Sequence, residues 1–228
     1  MDFVGFDKMS LLDYEDYVSA VVFAPTCNFR CPFCHNGGSV LNATTSIPFE
    51  EILNYLKQRK GLLDAVVVTG GEPTLMPDLI EKIKTFKELG YRVKLDTNGT
   101  NPGLLEKLIY SKLVDYVAMD IKNCEDKYAL TSGVKSLDFK NIKKSIEILK
   151  TSGIHHEFRT TLVKEFHDFS DILKIGELLD GCETLYLQKF VDREGVIQKD
   201  LHPVDEEKAR LFQKDLSRHV HNVHLRGY

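Results

Sequence analysis

The stretch Cys27-Asn28-Phe29-Arg30-Cys31-Pro32-Phe33-Cys34 holds three of the chain's five cysteines within eight residues, spaced CxxxCxxC. No other feature limits the fold as much. Three thiolates so close cannot all point at one atom from a helix or a strand. A loop can instead fold them around one face of an iron–sulfur cube and leave the fourth iron without a protein ligand. The rest of the chain is then expected to hold a cofactor against that iron. An odd, clustered set of cysteines argues against a disulfide framework and for a reducing interior, the cytoplasm.

Around this loop one phrase recurs: a β-branched strand, a loop, then an amphipathic helix. The predicted strands are 18–24, 65–69, 92–97, 116–121, 156–163 and 184–190. Phe49, Ile52, Leu53 and Leu56 mark the first helix behind Pro48. Further helices open at Pro77, at Pro102 and behind the N-cap Asp138, and two more carry Ile172/Ile175/Leu179 and Ala209/Phe212/Leu216. Six such units imply an α/β fold with parallel strands and right-handed crossovers. The 228 residues read as one domain: an irregular extension over 1–17, a core over 18–190, and a C-terminal helix and tail over 191–228. A net charge of −4 gives no electrostatic reason to expect nucleic acid, and no apolar run is long enough for a membrane span.

Strand parity selects among parallel folds. Lys94, Asp96 and Asn98 share one face of the third strand; Ala118, Asp120 and Lys122 share one face of the fourth. Glu157, Arg159 and Thr161 follow on the fifth, Tyr186 and Gln188 on the sixth. A sheet covered by helices on both faces would be apolar on both, and a full eight-stranded barrel fills its interior with branched apolar groups. The expectation is a partial, TIM-like (β/α)6 barrel whose polar lumen balances Lys94, Lys122 and Arg159 against Asp96, Asp120 and Glu157. The plainer alternative is a solvated sheet face.

Each unusual stretch falls at a strand's C-terminal end, where barrel enzymes place their active sites. The cysteine loop follows the first strand, Thr69-Gly70-Gly71-Glu72-Pro73 the second, Leu95-Asp96-Thr97-Asn98-Gly99 ends the third and Asp120-Ile121-Lys122 the fourth. Adjacent glycines let backbone approach a ligand closely. Two other readings of the thiols stay open here: a Cys₃His zinc site completed by His35, and a CxxC redox pair. Cys124 and Cys182 read as core thiols, and His219, His221 and His224 as a surface segment or late strand.

On these residues the chain resembles the radical S-adenosylmethionine superfamily. Cys34-His35-Asn36, LDTNG and DIK resemble the glycyl-radical-enzyme activases within it, and Gly5-Phe6 to Asp13-Tyr14 with Leu187-Gln188-Lys189-Phe190 the activating proteins of anaerobic ribonucleotide reductase. Pro25-Thr26 and Tyr14-Glu15-Asp16 depart from the usual pattern. The resemblance implies that Cys27, Cys31 and Cys34 hold a 4Fe–4S cluster whose open iron chelates S-adenosylmethionine. Gly70, Gly71 and Glu72 would receive the methionine amino group, and Asp96, Lys122 and Arg159 the carboxylate and ribose end. Asn98 would belong to the same cofactor site, Phe33 and His35 would flank the adenine, and Gln188 would contact the ribose. Asp96 and Asp120 would hold a monovalent cation. Reductive cleavage would give a 5′-deoxyadenosyl radical that takes a glycine Cα hydrogen from a partner glycyl radical enzyme. With only two cysteines left over, a second four-thiolate cluster is excluded, so electrons would come from flavodoxin or ferredoxin. A small-molecule enzyme such as a 7-carboxy-7-deazaguanine synthase shares TGGEP and TNG, and a non-catalytic zinc scaffold is the remaining alternative.

Overall fold

A computed structural model of the protein describes residues 1–37 and 46–228. Its frame is one eight-stranded sheet: β1 (Gly5–Ser10), β2 (Ser19–Ala24), β3 (Ala65–Gly70), β4 (Arg92–Thr97), β5 (Tyr116–Asp120), β6 (His155–Leu162), β7 (Thr184–Lys189) and β8 (Asn222–Arg226). The strands lie in sequence order, and β2 through β8 are parallel throughout. Among the described residues β1 and β8 do not pair, so the curl stays open along one side. The partial barrel expected from strand parity is the observed architecture.

Two strands are additions to the expected six. The extension over 1–17 is not irregular: β1 pairs antiparallel with β2, with a register shift between Asp7 and Ser10. The tail supplies β8, parallel to β7 with Leu185 opposite Val223.

Helices α1 (Phe49–Gln58), α2 (Leu79–Glu88), α3 (Pro102–Tyr110), α4 (Glu125–Ser132), α5 (Phe139–Ser152), α6 (Phe169–Leu178) and α7 (Glu206–Leu216), with a 3-10 turn over Pro73–Leu75, complete the described elements. The apolar stripes of α1, α5, α6 and α7 face the sheet, and their buried residues include Leu56, Ile142, Ile175 and Phe212. They meet Val66, Val68, Leu95, Val117, Phe158 and Leu185 in one continuous core. At roughly 25 cal/mol per Å² of apolar surface, this helix-to-sheet burial is the main stabilising term. A second, small apolar group (Tyr14, Val21, Ala65 and Val67) sits apart from that core, on the face that β4 to β7 line with polar groups. Helix α4 has no apolar stripe to betray it in the sequence, and it escaped the periodicity reading.

Helix ends are fixed by side chains. Asp138 accepts from the Lys140 amide, and α5 stops at Gly153. Asp168 caps α6 by accepting from the Ser170 and Asp171 amides at 2.8 and 3.1 Å, while Asp171 accepts from the Asp168 amide at 2.9 Å. Such a reciprocal box satisfies the backbone donors of both the N-cap and the N3 residue at the start of the helix. Asp168→Ala should therefore lower the unfolding free energy by about 1 kcal/mol, read as an earlier midpoint in urea with an unchanged slope.

Candidate active site

The three motif cysteines line one cavity of about 350 Å³ at the C-terminal ends of the strands, together with Gly70, Gly71, Asp96, Asn98, Asp120, Lys122, Arg159 and Gln188. Their loop is pinned from several sides. Arg30 donates from its backbone to Ser132 O at 2.8 Å, and its guanidinium donates to Cys27 O and Phe29 O at 2.6 and 2.7 Å. Cys34 N donates to Cys31 O, and Gln198 N donates to Pro32 O at 2.9 Å, tying the turn to the segment after β7. Burial pushes the Cys31 thiol up to about 12 against the pull of Lys122, and burial likewise raises Cys27. Bare thiolates are thus disfavoured, and an incoming metal would have to supply the compensating charge as the protons leave.

Among the described residues no three His, Cys, Asp or Glu side chains converge as one metal ion requires. Three thiols on one cavity suit a cubane, in which each iron takes its own thiolate. The His35 ring stacks on Phe190 with centroids 6.1 Å apart.

The glycine pair is explained by backbone contact as much as by a ligand. Gly70 has φ +101°, and a Cβ there would lie 2.5 Å from Ala24 N; one on Gly71 would collide with Thr26 O. Gly71 N donates to Ala24 O at 2.9 Å and Glu72 N to Thr26 O at 2.6 Å. Those amides are spent on the run-up to Cys27, so the loop offers carbonyls to a ligand. Carbonyls are acceptors, which an ammonium can use. Asn36 Nδ2 donates to one of them, Gly70 O, at 3.0 Å.

Glu72 corrects the sequence expectation. Its carboxylate is 1% exposed and does not line the cavity. Oε1 accepts from Thr74 N, Thr74 Oγ1 and Thr97 Oγ1 at 3.1, 2.6 and 2.7 Å, and Oε2 accepts from Asn98 N at 2.6 Å. Burial raises its pKa and these donors oppose the rise. An acceptor already filled from four directions cannot receive an amino group. Glu72 instead clamps the β3 loop to the β4 loop.

The expected charge balance is present. Arg159 bridges two carboxylates, with Nε 2.9 Å from Asp120 Oδ1 and an Nη 3.2 Å from Asp96 Oδ2. Lys122 Nζ is 3.0 Å from Asp120, while Lys94 Nζ lies 3.9 and 3.8 Å from Asp96 and Glu157 and donates to Asp13 O at 2.6 Å. The positive charge between Asp96 and Asp120 is thus the Arg159 guanidinium, at the place where the resemblance implies a monovalent cation. Burial works against the Asp120 carboxylate, yet Arg159 and Lys122 hold its pKa down at about 2. Burial likewise opposes the charged form of Lys122, and Asp120 raises its pKa nonetheless.

Phe33 lines the cavity and packs against Phe166 at 6.1 Å. Cys124 and Cys182 are both buried at 1% exposure, as core thiols should be. Of the late histidines, His219 pairs with Asp180 and His224 stacks on Tyr186. Asn36, Thr74, Thr97 and Arg30 had been given no task. Asn36, Thr97 and Arg30 stand inside the motif stretches and Thr74 directly after one, which was the only hint of a role.

The chain belongs to the radical SAM superfamily: the profile of that superfamily matches residues 21–179. It is an enzyme of that class, and the family's cofactors are a 4Fe–4S cluster and S-adenosylmethionine. A protein of Methanocaldococcus jannaschii provisionally named a glycyl-radical enzyme activating enzyme is 36% identical over 97% of this chain and 94% of its own length. Pyruvate formate-lyase-activating enzyme of Clostridium pasteurianum is 29% identical over 92% of this chain and 94% of its own. A protein of Saccharolobus islandicus provisionally named a GTP 3′,8-cyclase is 28% identical over 88% of this chain and 67% of its own. The fold is shared with Streptococcus suis SuiB bound to S-adenosylmethionine, at TM-score 0.68 and 15% identity, over 91% of this chain and 52% of that one.

Two outcomes test the geometry. Glu72→Ala leaves the buried Thr97 hydroxyl and the Thr74 and Asn98 amides without their acceptor and should cost about 3 kcal/mol, measured by denaturant unfolding. Asp120 has a folded pKa near 2 against an ordinary 3.8. Its stabilisation is therefore present above pH 3.8 and lost as pH falls toward 2. Asp120→Asn should flatten the stability profile in that acid window, followed by circular dichroism.

Proposed function

We propose that this enzyme is a glycyl-radical-enzyme activating enzyme whose partner is a glycyl radical enzyme of the anaerobic ribonucleotide reductase type. The observation that carries the reading is the shared cavity, which Cys27, Cys31, Cys34, Gly70, Gly71, Lys122 and Arg159 line together. The near full-length similarity to two proteins named as activating enzymes supports the same assignment.

In this reading Cys27, Cys31 and Cys34 hold the 4Fe–4S cluster. Gly70 and Gly71 carbonyls receive the ammonium of S-adenosylmethionine. Lys122 and Arg159, restrained by Asp120 and Asp96, face its carboxylate and ribose end. Phe33 and His35 flank the adenine, and Gln188 meets the ribose. Bound there, the cofactors supply one-electron cleavage of a sulfonium and a carbon radical able to take a glycine Cα hydrogen. The protein's part is to position the cofactors and exclude water. The two remaining cysteines are buried singly, which supports an external reductant, a flavodoxin or ferredoxin, in a reducing cytoplasm. No helix among the described residues is long and apolar enough to cross a membrane.

Similarity to the GTP 3′,8-cyclase favours a second reading, in which the same cofactors act on a small molecule. One experiment separates the two. Reduced protein, S-adenosylmethionine and the candidate partner, mixed without oxygen, should give a glycyl-radical doublet in the electron paramagnetic resonance spectrum. Turnover of a purine or pterin substrate without that doublet would favour the second reading. Replacing Cys27, Cys31 or Cys34 with Ala should abolish cluster assembly and the doublet together. Lys122→Met should weaken S-adenosylmethionine binding about tenfold or more, as expected for losing a charged hydrogen bond of about 1.5 kcal/mol, read by calorimetry.

A further inference from the structure

Beside Cys27 three side chains close a ring of hydrogen bonds. Asn98 Nδ2 donates to Asn28 Oδ1 at 2.8 Å, Asn28 Nδ2 donates to Thr100 Oγ1 at 2.9 Å, and Thr100 Oγ1 donates to Asn98 Oδ1 at 2.7 Å. The ring leaves no freedom to exchange the two ends of the Asn98 amide. Thr100 N, which can only donate, points at Asn98 Oδ1 from 3.0 Å, so the other end must be the NH₂ group. From behind, the Glu72 carboxylate holds the Asn98 backbone amide at 2.6 Å.

An amide NH₂ carries two hydrogens. One is used on Asn28, and Nδ2 stands 4.0 Å from Cys27 Sγ. Asn98 is 6% exposed, which leaves water little access to compete for the second hydrogen.

The geometry points to Asn98 as a positioning residue that aims an N–H at the Cys27 sulfur and so sets the reduction potential of the cluster this cysteine ligates. This rests on the reading of Cys27 as a cluster ligand. A donor facing a coordinated thiolate draws off negative charge and favours the reduced cluster, which makes the potential less negative. Asn28 and Thr100 do not act on the sulfur directly. They hold the amide in the one orientation that presents nitrogen, and a closed ring of this kind strengthens each of its members.

The test is a redox titration of the reconstituted protein followed by electron paramagnetic resonance, with iron and sulfide counted per chain. Asn98→Ala removes the donor, and its potential should fall below that of the parent. Thr100→Val breaks the ring without touching Asn98 or adding charge and should shift the potential in the same direction by less. Thr100→Ser keeps the hydroxyl and should restore the parent value. A purely structural ring would change cluster loading and leave the potential of the loaded fraction in place. Thr100→Val and Asn98→Ala titrating at the parent potential would overturn the inference while leaving the functional reading intact. Absence of any cubane signal from the parent protein would sink both.

Discussion

Everything in the lumen depends on keeping six ionised side chains neutral as a set. Lys94, Lys122 and Arg159 face Asp96, Asp120 and Glu157 in a space where the side chains of Lys94 and Glu157 are 7% and 4% exposed. An isolated charge in such a place costs several kcal/mol even after relaxation, about the scale of the whole protein's stability margin. The cross-strand register provides the pairing: Asp120 lies opposite Arg159 on the neighbouring strand, and Lys94 opposite Tyr116, whose hydroxyl donates to Glu157. Arg159 is the shared member, within 4.0 Å of Asp96, Asp120 and Glu157, so its removal takes a counter-charge from all three. The lumen can stay polar, and therefore able to take a polar cofactor, because the set is complete.

The sheet's core was legible because parallel strands between helices leave two independent signatures, β-branched runs and periodic apolar stripes. The polar lumen was legible for a related reason: alternation along β4, β5 and β6 cannot be reconciled with a sheet buried on both faces. Of the two edge strands, β1 was not, and β8 was legible only as one of two readings of the late histidine segment. Gly5–Ser10 carries charges at Asp7 and Lys8 and takes its strand conformation from β2 alone. Asn222–Arg226 alternates too imperfectly to stand out, and its place is set by register with β7. Both become strands through a neighbour, a tertiary effect that local pattern does not encode.

The site divides in the same way. Its cavity-lining residues could be found because their chemistry is unusual at strand ends: thiols, paired glycines, an isolated Lys-Asp pair. The supporting contacts could not, because threonine and asparagine are ordinary in loops. Glu72 shows the cost of reading position alone. Its place after the glycines suggested a ligand contact, whereas four donors from Thr74, Thr97 and Asn98 make it the fastener between two loops. A Cβ on either glycine would collide with the backbone of Ala24 or Thr26, just before Cys27.

Because β1 and β8 do not pair, no closed circuit of backbone hydrogen bonds among the described residues fixes the circumference of the curl. A sealed barrel can widen only by breaking ladders, a constraint that a curl with two unpaired edge strands does not carry along that side.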